Sequence, residues 1–529
     1  MKRSLAPERN DEPVKKIIVI GAGIAGLSAG CYAQMNGYKT RIFELHDRPG
    51  GLCTAWKRKG YTFDGCIEWL IGTRPGTAVN RIWHELGAAQ GRKFIHPDVY
   101  QRIEGSDGRS LSLYTNLDRL ERHMKELSPD DAEVIEEFCT GARGFTRFLD
   151  IMGNLEGPAS LLDGIKMSLR MVPFMGSLRK YSRMSTEEFA ARFRDPLLRQ
   201  GICAAVDDLR GMPAMTLMMI LAYMHEGDGC FPAGGSLKFA QAIERRFLGL
   251  GGEIKYRSRV ERILVEDDRA VGVRLTDGTE HRADIVISAA DGHATIFDML
   301  QGRYINDKVR GYYRELPIFP SWIQVSLGVG RDLSDQAQAA VYLLDEPLEI
   351  AGEKPVYIRF RHFCSDPSLA PPGKSVLVTA FSSDYAYWKD LGKDPERYES
   401  EKKKIAAQVI RVLEHRMPGF AEQIEVVDVS TPLTVVRYTG NWRGSQEGWM
   451  ITTGTVGMVM GKGMEKTLPG LGGFYMCGQW VEPGGGVSTA AGSGKAVIRT
   501  ICGKDKKKFR AFLPEESSRG EDRLPVYAH

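Results

Sequence analysis

Three glycines near the N terminus have the spacing of a turn that holds a diphosphate. Gly21, Gly23 and Gly26 follow the apolar run 17–20 in the pattern G-x-G-x-x-G. The first permits the tight turn, the second lets the backbone approach the diphosphate, and the third lets a helix pack closely on the strand. The N-terminal end of that helix, predicted over 24–36, offers N–H groups to the anion. The spacing therefore predicts a dinucleotide-binding βαβ unit.

Two features after this turn indicate which dinucleotide is bound. Glu44 ends the next predicted strand, 40–44, where a carboxylate can accept hydrogen bonds from the adenosine ribose. The turn and this acid together fit both FAD and NAD. The paired glycines Gly50 and Gly51 resemble those of FAD enzymes of the amine-oxidase superfamily, and they favour FAD. The predicted cofactor contacts of this unit are Gly21, Gly23, Ile24, Ala25, Gly26, Glu44, Leu45, Gly50, Gly51 and Leu52.

Three blocks of sequence extend this resemblance along the chain. They begin with ELHDRPGGLCTAW at residue 44, CFPAGGSLKFAQAIE at 230 and GFYMCGQWVEPGGGVSTAAGSGKAV at 473. In content and order they are similar to the phytoene desaturase, carotenoid isomerase and retinol saturase family. The resemblance implies that the backbone of Val260 meets the adenine. It also implies that the ribityl and isoalloxazine end of the cofactor is held by Gly478, Gln479, Gly486 and Val487; Gln479 stands where the family commonly has an acidic residue.

Two carboxylates are the candidate catalytic groups. Glu68, in FDGCIEW, stands where the retinol saturase-like pattern often has histidine, and Glu482 stands in Glu-Pro-Gly where the family has His-Pro-Gly. We expect both to flank the flavin as proton donor or acceptor. In one apolar pocket they would repel each other, which raises the pKa of one of them towards neutrality. The alternative is that each only hydrogen-bonds the backbone or the cofactor.

The pattern of elements predicts an α/β fold. It consists of a doubly wound, Rossmann-type FAD-binding domain with an inserted α+β substrate domain. Strand, helix and glycine signals recur in three separated segments, and these form the FAD-binding domain: 1–99, 226–296 and 456–503. The substrate domain combines a helical part, 100–225, with a sheet part, 297–455, and a polar tail follows at 504–529.

Composition excludes several classes of function. A net charge of +4 is too small an excess to indicate a nucleic-acid partner. The nine cysteines form no C-x-x-C pair and the ten histidines no metal-binding spacing, so no metal site is predicted. The N-terminal residues lack the apolar core of a secretory signal, and the chain has no apolar run of membrane-spanning length. These features favour a cytoplasmic protein.

Residues 164–184 mix apolar and basic side chains without an acid. Two interpretations stay open. The segment can lie in a membrane interface, with basic groups at the lipid headgroups, or it can be a methionine-rich cover over a pocket. The first interpretation makes the protein a peripheral membrane protein that extracts a lipid from the bilayer.

Together these features predict an FAD-dependent oxidoreductase. It acts on carbon-carbon bonds of a hydrophobic polyene, isoprenoid or acyl-type substrate by desaturation, saturation or isomerisation. The sequence leaves the electron donor or acceptor open. Two alternatives remain, a flavin amine oxidase and a flavin-bound lipid or pigment carrier without turnover.

Overall fold

The computed structural model describes residues 14–153, 169–206, 209, 211–460 and 464–514. Within them the strands, in chain order, are β1 (Lys16–Ile20), β2 (Lys39–Phe43), β3 (Ala55–Arg58), β4 (Tyr61–Asp64), β5 (Leu70–Ile71), β6 (Phe94–Ile95), β7 (Val99–Glu104), β8 (Ser110–Tyr114), β9 (Gly229–Pro232), β10 (Glu253–Lys255), β11 (Val260–Glu266), β12 (Arg269–Leu275), β13 (Glu280–Arg282), β14 (Ile285–Ser288), β15 (Ser321–Val329), β16 (Ala339–Leu343), β17 (Tyr357–His362), β18 (Ser375–Ser383), β19 (Ile424–Ser430) and β20 (Phe474–Met476).

The α-helices of the same residues are α1 (Ile24–Met35), α2 (Ala78–Glu85), α3 (Leu117–Leu127), α4 (Ala132–Gly153), α5 (Met175–Arg183), α6 (Thr186–Ala190), α7 (Pro196–Ala204), α8 (Ala214–His225), α9 (Gly235–Gly249), α10 (Asp307–Glu315), α11 (Tyr385–Leu391), α12 (Pro395–Arg416), α13 (Pro432–Thr439), α14 (Val456–Met460) and α15 (Val487–Lys504).

A parallel sheet of five strands forms the centre of the dinucleotide-binding domain. Its strand order is β10, β2, β1, β14, β20. Ile17 and Val19 pack into the apolar cluster on one face, whereas Ile18 and Ile20 pack into the cluster on the other. This arrangement explains the continuous apolar run in β1, because a parallel strand that is covered on both faces has no solvent side. Helix α1 packs against α9 and α15.

The five strands come from three widely separated parts of the chain. β1 and β2 belong to the first, β10 and β14 to the middle, and β20 to the last. Helix α1 begins at Ile24 and ends at Met35, as predicted to within one residue, and Gly37 takes a left-handed φ of +77° just after it. The predicted α/β class with a doubly wound domain is confirmed.

A second sheet of seven strands supports the other side of the molecule. Its order is β19, β15, β18, β17, β16, β7, β8, and it is antiparallel except between β16 and β7. Val341 packs towards the helices α3, α4 and α8, while the neighbouring Tyr342 packs towards α12. The hairpin β7–β8 lies in the segment 100–225, which was predicted to be mostly helical. Its alternation of buried and partly buried residues, as in SLSLY, is typical of a strand with one face in the core.

The predicted polar tail packs on the fold over part of its length. The Phe509 ring lies 5.8 Å from that of Tyr32, and the Arg510 N–H donates to the Asn36 Oδ1 at 2.7 Å. These contacts join the chain after α15 to helix α1. Residues 515–529 of the predicted tail, and residues 1–13 of the N-terminal segment, lie outside the described residues.

Candidate active site

The first glycine turn has the geometry that its spacing predicts. Gly21 takes a φ of +97°, which L side chains rarely adopt. A Cβ on Gly26 would lie 2.0 Å from the Gly21 carbonyl oxygen, so only glycine permits the close approach of helix and turn. No side chain caps the N terminus of α1, whose first residues Ile24 and Ala25 line a cavity. The N–H groups of this helical turn are thus available to an anion in the cavity.

Glu44 holds the turn in place. The Ala22 N–H donates to its Oε2 at 2.6 Å, and the His46 N–H donates to its Oε1 at 2.8 Å. Burial raises the pKa of Glu44, while these backbone N–H groups oppose the rise. Each carboxylate oxygen accepts more than one hydrogen bond, so Glu44 can bind the turn and a ribose hydroxyl together.

The second glycine pair touches the first turn. The Gly50 N–H donates to the Ala22 carbonyl at 2.9 Å, and Gly50 forms a β-bridge with Gly23. Gly51 lies close to the first turn, because a Cβ added to it would lie 3.4 Å from the Gly23 Cα. Two backbone segments therefore meet at the cavity with no side chain between them.

The C-terminal glycine segment reaches the same place. A Cβ on Gly478 would lie 3.3 Å from the Ala25 Cβ, and the Gly478 N–H donates to the Ser493 Oγ at 3.1 Å. Gly486, with a φ of +88°, precedes helix α15. The Ser28 Oγ ties α1 to α15 by donating to the Ala491 carbonyl at 2.7 Å.

One cavity of about 880 Å³ collects most of the residues singled out from the sequence. Gly26 is not among its lining residues, because it packs against the Gly21 backbone. Glu482 does not line it either. The predicted residues that do line it are Gly21, Gly23, Ile24, Ala25, Glu44, Leu45, Gly50, Gly51, Leu52, Glu68, Val260, Gly478, Gln479, Gly486 and Val487.

The far end of this cavity is apolar. It is walled by helices α4, α5 and α8 and the segments beside them, and Trp69 packs against Tyr223 with ring centroids 6.4 Å apart. The apolar lining side chains at this end include Phe148, Leu149, Met171, Leu178, Met212, Met215, Met219 and Ile220. Methionine side chains are flexible, so such a wall adapts to an elongated apolar ligand.

Glu68 lies in this cavity opposite two arginines of β17. Its Oε2 lies 3.4 Å from Arg361 Nη2, and its Oε1 lies 3.7 Å from Arg359 Nη2. Burial by itself raises the pKa of Glu68, but the two guanidinium charges outweigh it and hold the pKa below its usual range. Glu68 is therefore an ionised carboxylate at neutral pH, which differs from the predicted rise in pKa.

Glu482 has a separate basic partner. Its Oε1 lies 2.5 Å from the Nζ of Lys466. The two predicted catalytic carboxylates thus have different partners, and only Glu68 lines the cavity. The sharing of one proton between them has no geometric basis in this structure.

Asp291 is a cavity carboxyl that the sequence analysis missed. It accepts the Ala294 N–H at 2.7 Å and the Trp442 N–H at 2.8 Å, and it is buried. Burial, opposed by these N–H groups, raises its pKa to about 6. The signal available in the sequence was its position three residues after the end of the buried strand β14, at the edge of a parallel sheet where ligands bind.

A family model described as flavin containing amine oxidoreductase matches residues 24–502. The chain belongs to this flavin-containing amine oxidoreductase family. Membership confirms the predicted flavin-dependent oxidoreductase and the flavin cofactor. The residues at the cavity fit such a group, because two glycine loops and an uncapped helix N terminus meet there.

A prolycopene isomerase and a phytoene desaturase are among the sequence relatives, which confirms the resemblance seen in the sequence. The chain is 26% identical over 514 residues to prolycopene isomerase from Arabidopsis thaliana, covering 94% of this chain and 84% of that protein. It is 26% identical over 528 residues to the neurosporene-forming phytoene desaturase of Rhodobacter capsulatus, covering 93% of this chain and 95% of that protein.

Solved structures of similar fold include an oxidoreductase and a putrescine oxidase. An oxidoreductase from Methanosarcina mazei superposes with a TM-score of 0.58 at 19% identity, covering 92% of this chain and 100% of that chain. Putrescine oxidase bound to putrescine superposes with a TM-score of 0.58 at 13% identity, covering 93% of this chain and 99% of that one. At these identities the likeness concerns the fold.

The segment 164–184, for which a membrane interface and a pocket cover were both considered, is amphipathic in its described part, residues 169–184; residues 164–168 lie outside the described residues. Met171 and Leu178 line the apolar end of the cavity. On the outside, Leu169, Val172 and Met175 are 67%, 61% and 54% exposed. In the described residues no helix combines the length and apolarity that crossing a membrane requires.

Proposed function

We propose that this protein is an FAD-dependent oxidoreductase that acts on carbon-carbon bonds of a hydrophobic polyene, isoprenoid or acyl-type substrate. Its reaction is a desaturation, a saturation or a double-bond isomerisation. The observation that carries the proposal is a single cavity that runs from the glycine loops of the cofactor family to an apolar end among helices α4, α5 and α8. A cofactor and a long apolar substrate can then share one cavity.

FAD is the flavin that suits this cavity. The lining includes Glu44 and Val260, which provide a ribose acceptor and a backbone position for an adenine. The uncapped N terminus of α1 would bind the diphosphate of FAD, and Gly478 and Val487, which also line the cavity, would hold its isoalloxazine end. A bound FAD supplies hydride or electron-pair transfer at its N5.

The names of the relatives support a polyene as substrate. The relatives at 26% identity are a prolycopene isomerase and a phytoene desaturase, and they match nearly the whole chain. The amine-oxidising structures share the fold at a much lower identity. The apolar, methionine-rich wall agrees with a hydrocarbon chain rather than a small charged amine.

Glu68 is the carboxylate best placed to act on such a substrate. Arg359 and Arg361 keep it ionised, so it accepts a proton or stabilises positive charge rather than donating a proton at neutral pH. The next residue, Trp69, also lines the cavity, and its large apolar ring would keep water away from the Glu68 carboxylate. Glu482, paired with Lys466 outside the cavity lining, is the second candidate.

Anaerobic incubation of the purified holoenzyme with polyene hydrocarbons tests the proposal. We expect the polyene absorption spectrum to shift and the product to differ by hydrogen content or by double-bond geometry in mass and chromatographic analysis. Amines should leave the flavin oxidised under the same conditions. A polyene that is retained without any change in itself or the flavin would assign the protein as a carrier, and reduction of the flavin by amines would assign an amine oxidase.

We also propose that the exposed apolar patch Leu169, Val172 and Met175 touches a membrane surface. The neighbouring Arg170 and Arg179 are exposed and suit anionic headgroups. Because Met171 and Leu178 of the same segment line the cavity, a substrate could pass from the bilayer directly into its apolar end.

A further inference from the structure

Two cysteines lie opposite each other where the β3–β4 hairpin meets the cavity. The hydrogen bond from the Gly65 N–H to the Thr54 carbonyl, at 3.0 Å, extends the antiparallel ladder one residue beyond its last strand pair. Cys53 and Cys66 lie in the bends that follow, where one more step of the same register would place them opposite each other, and their thiols are within hydrogen-bonding distance. Directly opposed residues of an antiparallel pair have Cα atoms about 4.5 to 5.5 Å apart, which lies within the range that a disulfide spans.

The two thiols differ in how they are enclosed. Cys53 is buried, and its Sγ donates to the Ser236 carbonyl at 3.5 Å. Cys66 is exposed, and it lines the cavity. A hydrogen bond with the Cys53 thiol and burial raise the pKa of Cys66 well above its usual range. Both cysteines are free thiols in this structure.

The two cysteines lie on different segments of the cavity wall, one beside the second glycine pair and the other beside Glu68. Cys53 follows the glycine pair Gly50 and Gly51, which touches the first glycine turn. Cys66 lies two residues before Glu68. A covalent bond between the thiols would therefore fix the glycine loop to the segment that carries the cavity carboxylate.

We propose that Cys53 and Cys66 form a reversible disulfide that locks the cofactor-side wall of the cavity. The disulfide itself is independent of the proposed function. The lock on the flavin rests on that function, because it requires a flavin in the cavity.

The oxidant is a small-molecule disulfide, and the exchange proceeds in two steps. Because the pKa of Cys66 is raised, its thiol must first lose its proton, which makes the first step slow at neutral pH. The Cys66 sulfur then attacks one sulfur of the reagent, which breaks the reagent's S–S bond and releases one equivalent of its thiol. The Cys53 thiolate then attacks the Cys66 sulfur of this mixed disulfide and releases the second equivalent. Two protein thiols are oxidised, one reagent disulfide is reduced to two thiols, and the protons of the protein thiols end on the released thiols. A dithiol reductant reverses both steps.

Oxidised glutathione, followed by alkylation and peptide mass spectrometry, tests for the bond. Lys57, Arg58 and Lys59 separate the two cysteines, so trypsin cuts between them. We expect the peptides containing residues 53 and 66 to be joined after oxidation and to be separately alkylated after reduction. Cys53→Ser and Cys66→Ser should each abolish the joined product. Cys477→Ser is the matched control, since it removes another cavity thiol and should leave the joined product intact.

Two results would overturn the disulfide. One is full alkylation of both cysteines in the wild-type protein after prolonged oxidation. The other is a mixed disulfide with glutathione that persists on Cys66 without resolving onto Cys53. Each result is read in the wild-type protein, so poor folding of a single variant does not affect the decision between joined and separate peptides.

The rate of flavin release tests the lock. We expect the oxidised wild-type protein to release its flavin several-fold more slowly than the reduced protein, and the Cys66→Ser variant to show no such difference. Equal release rates in the two redox states would refute the lock. A protein that binds no flavin would instead refute the proposed function, and the peptide map would still decide the disulfide.

Discussion

Three carboxyl groups in or near the cavity differ in the groups that surround them. Glu68 faces two arginines, which keep it ionised. Asp291 is buried, and its carboxylate accepts hydrogen bonds from the backbone N–H groups of Ala294 and Trp442. Its burial raises its pKa to about 6. Glu482 pairs with a lysine away from the cavity lining. The same functional group is thus an anion at one position and half-protonated at about pH 6 at another.

Replacing Glu68 by glutamine tests its role in catalysis. We expect Glu68→Gln to lower turnover of a polyene substrate by about a hundredfold, because a neutral amide neither accepts a proton nor holds positive charge. Flavin content should stay unchanged. The loss of the pairing with Arg359 and Arg361 should destabilise the fold by about 1 to 3 kcal/mol, which thermal unfolding measures.

Glu482→Gln is the matched variant. From the sequence it is also expected to lower turnover with flavin content intact, and the position of its side chain outside the cavity lining favours a smaller effect. Unchanged turnover in Glu482→Gln would remove this residue from the mechanism. Unchanged turnover in Glu68→Gln would show that the Glu68 carboxylate takes no part in the reaction.

Asp291 should make stability depend on pH. Its pKa rises from 3.8 to about 6 on folding, so the folded chain binds the proton more tightly than the unfolded chain. This contribution favours folding below about pH 4 and is lost as the pH rises through about 6, by about 3 kcal/mol in total. Asp291→Asn lacks the titration, so its melting temperature should improve relative to the wild type between about pH 4 and pH 7. The exposed Asp307→Asn is the control, and parallel curves for wild type and Asp291→Asn would contradict the assignment.

At the scale of elements, the crossing of α1 and α15 joins the two ends of the cofactor site. The helices approach so closely that a Cβ on Gly494 would lie 2.5 Å from the Ala25 carbonyl oxygen and 2.7 Å from the Ala29 nitrogen. A backbone cannot move aside as a flexible side chain can. This contact brings the last glycine segment of the chain against the first.

Two glycines of α15 allow a matched test of this crossing. We expect Gly494→Ala to destabilise the protein by about 1 to 3 kcal/mol and to reduce bound flavin, because the helices must separate. Gly492→Ala, two residues earlier, meets no atom within 4 Å and should be neutral or slightly stabilising. Thermal unfolding and the flavin absorbance of the purified variants measure both effects. Equal behaviour of the two variants would show that the crossing is not a constraint.

The exposed apolar patch on the segment before α5 should control membrane binding. We expect Val172→Asp to reduce flotation with vesicles that contain anionic phospholipid, because it places a charge in the apolar face. Val427→Asp changes an equally apolar residue, 45% exposed on β19, and should leave flotation unchanged. Flotation that is the same for Val172→Asp and the wild-type protein would assign this patch a different role.

The first dinucleotide-binding element was predictable from sequence because its constraints are local. Glycine spacing, the apolar run of β1 and the acid after β2 act over a few tens of residues, and the structure reproduces each of them. The partners of Glu68 were not predictable in this way. Arg359 and Arg361 lie far along the chain, and they meet Glu68 only because β17 takes its place in the second sheet.

The sequence analysis also missed two strands, β7 and β8, because the segment that follows them is mostly helical. The hairpin β7–β8 precedes a long series of helices, and the segment 100–225 was predicted to be mostly helical as one unit. Its place at the edge of the seven-stranded sheet depends on the parallel pairing of β7 with β16, from a part of the chain more than two hundred residues later. No local pattern specifies such a pairing.

At the scale of the whole molecule, three distant chain segments build one binding space. Gly23 and Gly50 meet by a β-bridge, and Gly478 packs against Ala25. The second sheet and the helices around α8 close the other end of the cavity. The proposed places of a cofactor at one end and an apolar substrate at the other follow from this assembly, and none of the three segments forms the site alone.

Identification of the cofactor in the purified protein tests this account most directly. The protein should be yellow, and denaturation should release FAD, identified by mass, in about one equivalent per chain. Gly26→Ala should lose this flavin, because its Cβ would meet the Gly21 carbonyl oxygen at 2.0 Å. A wild-type protein that is colourless, and remains so after incubation with FAD and removal of the excess, would contradict the account.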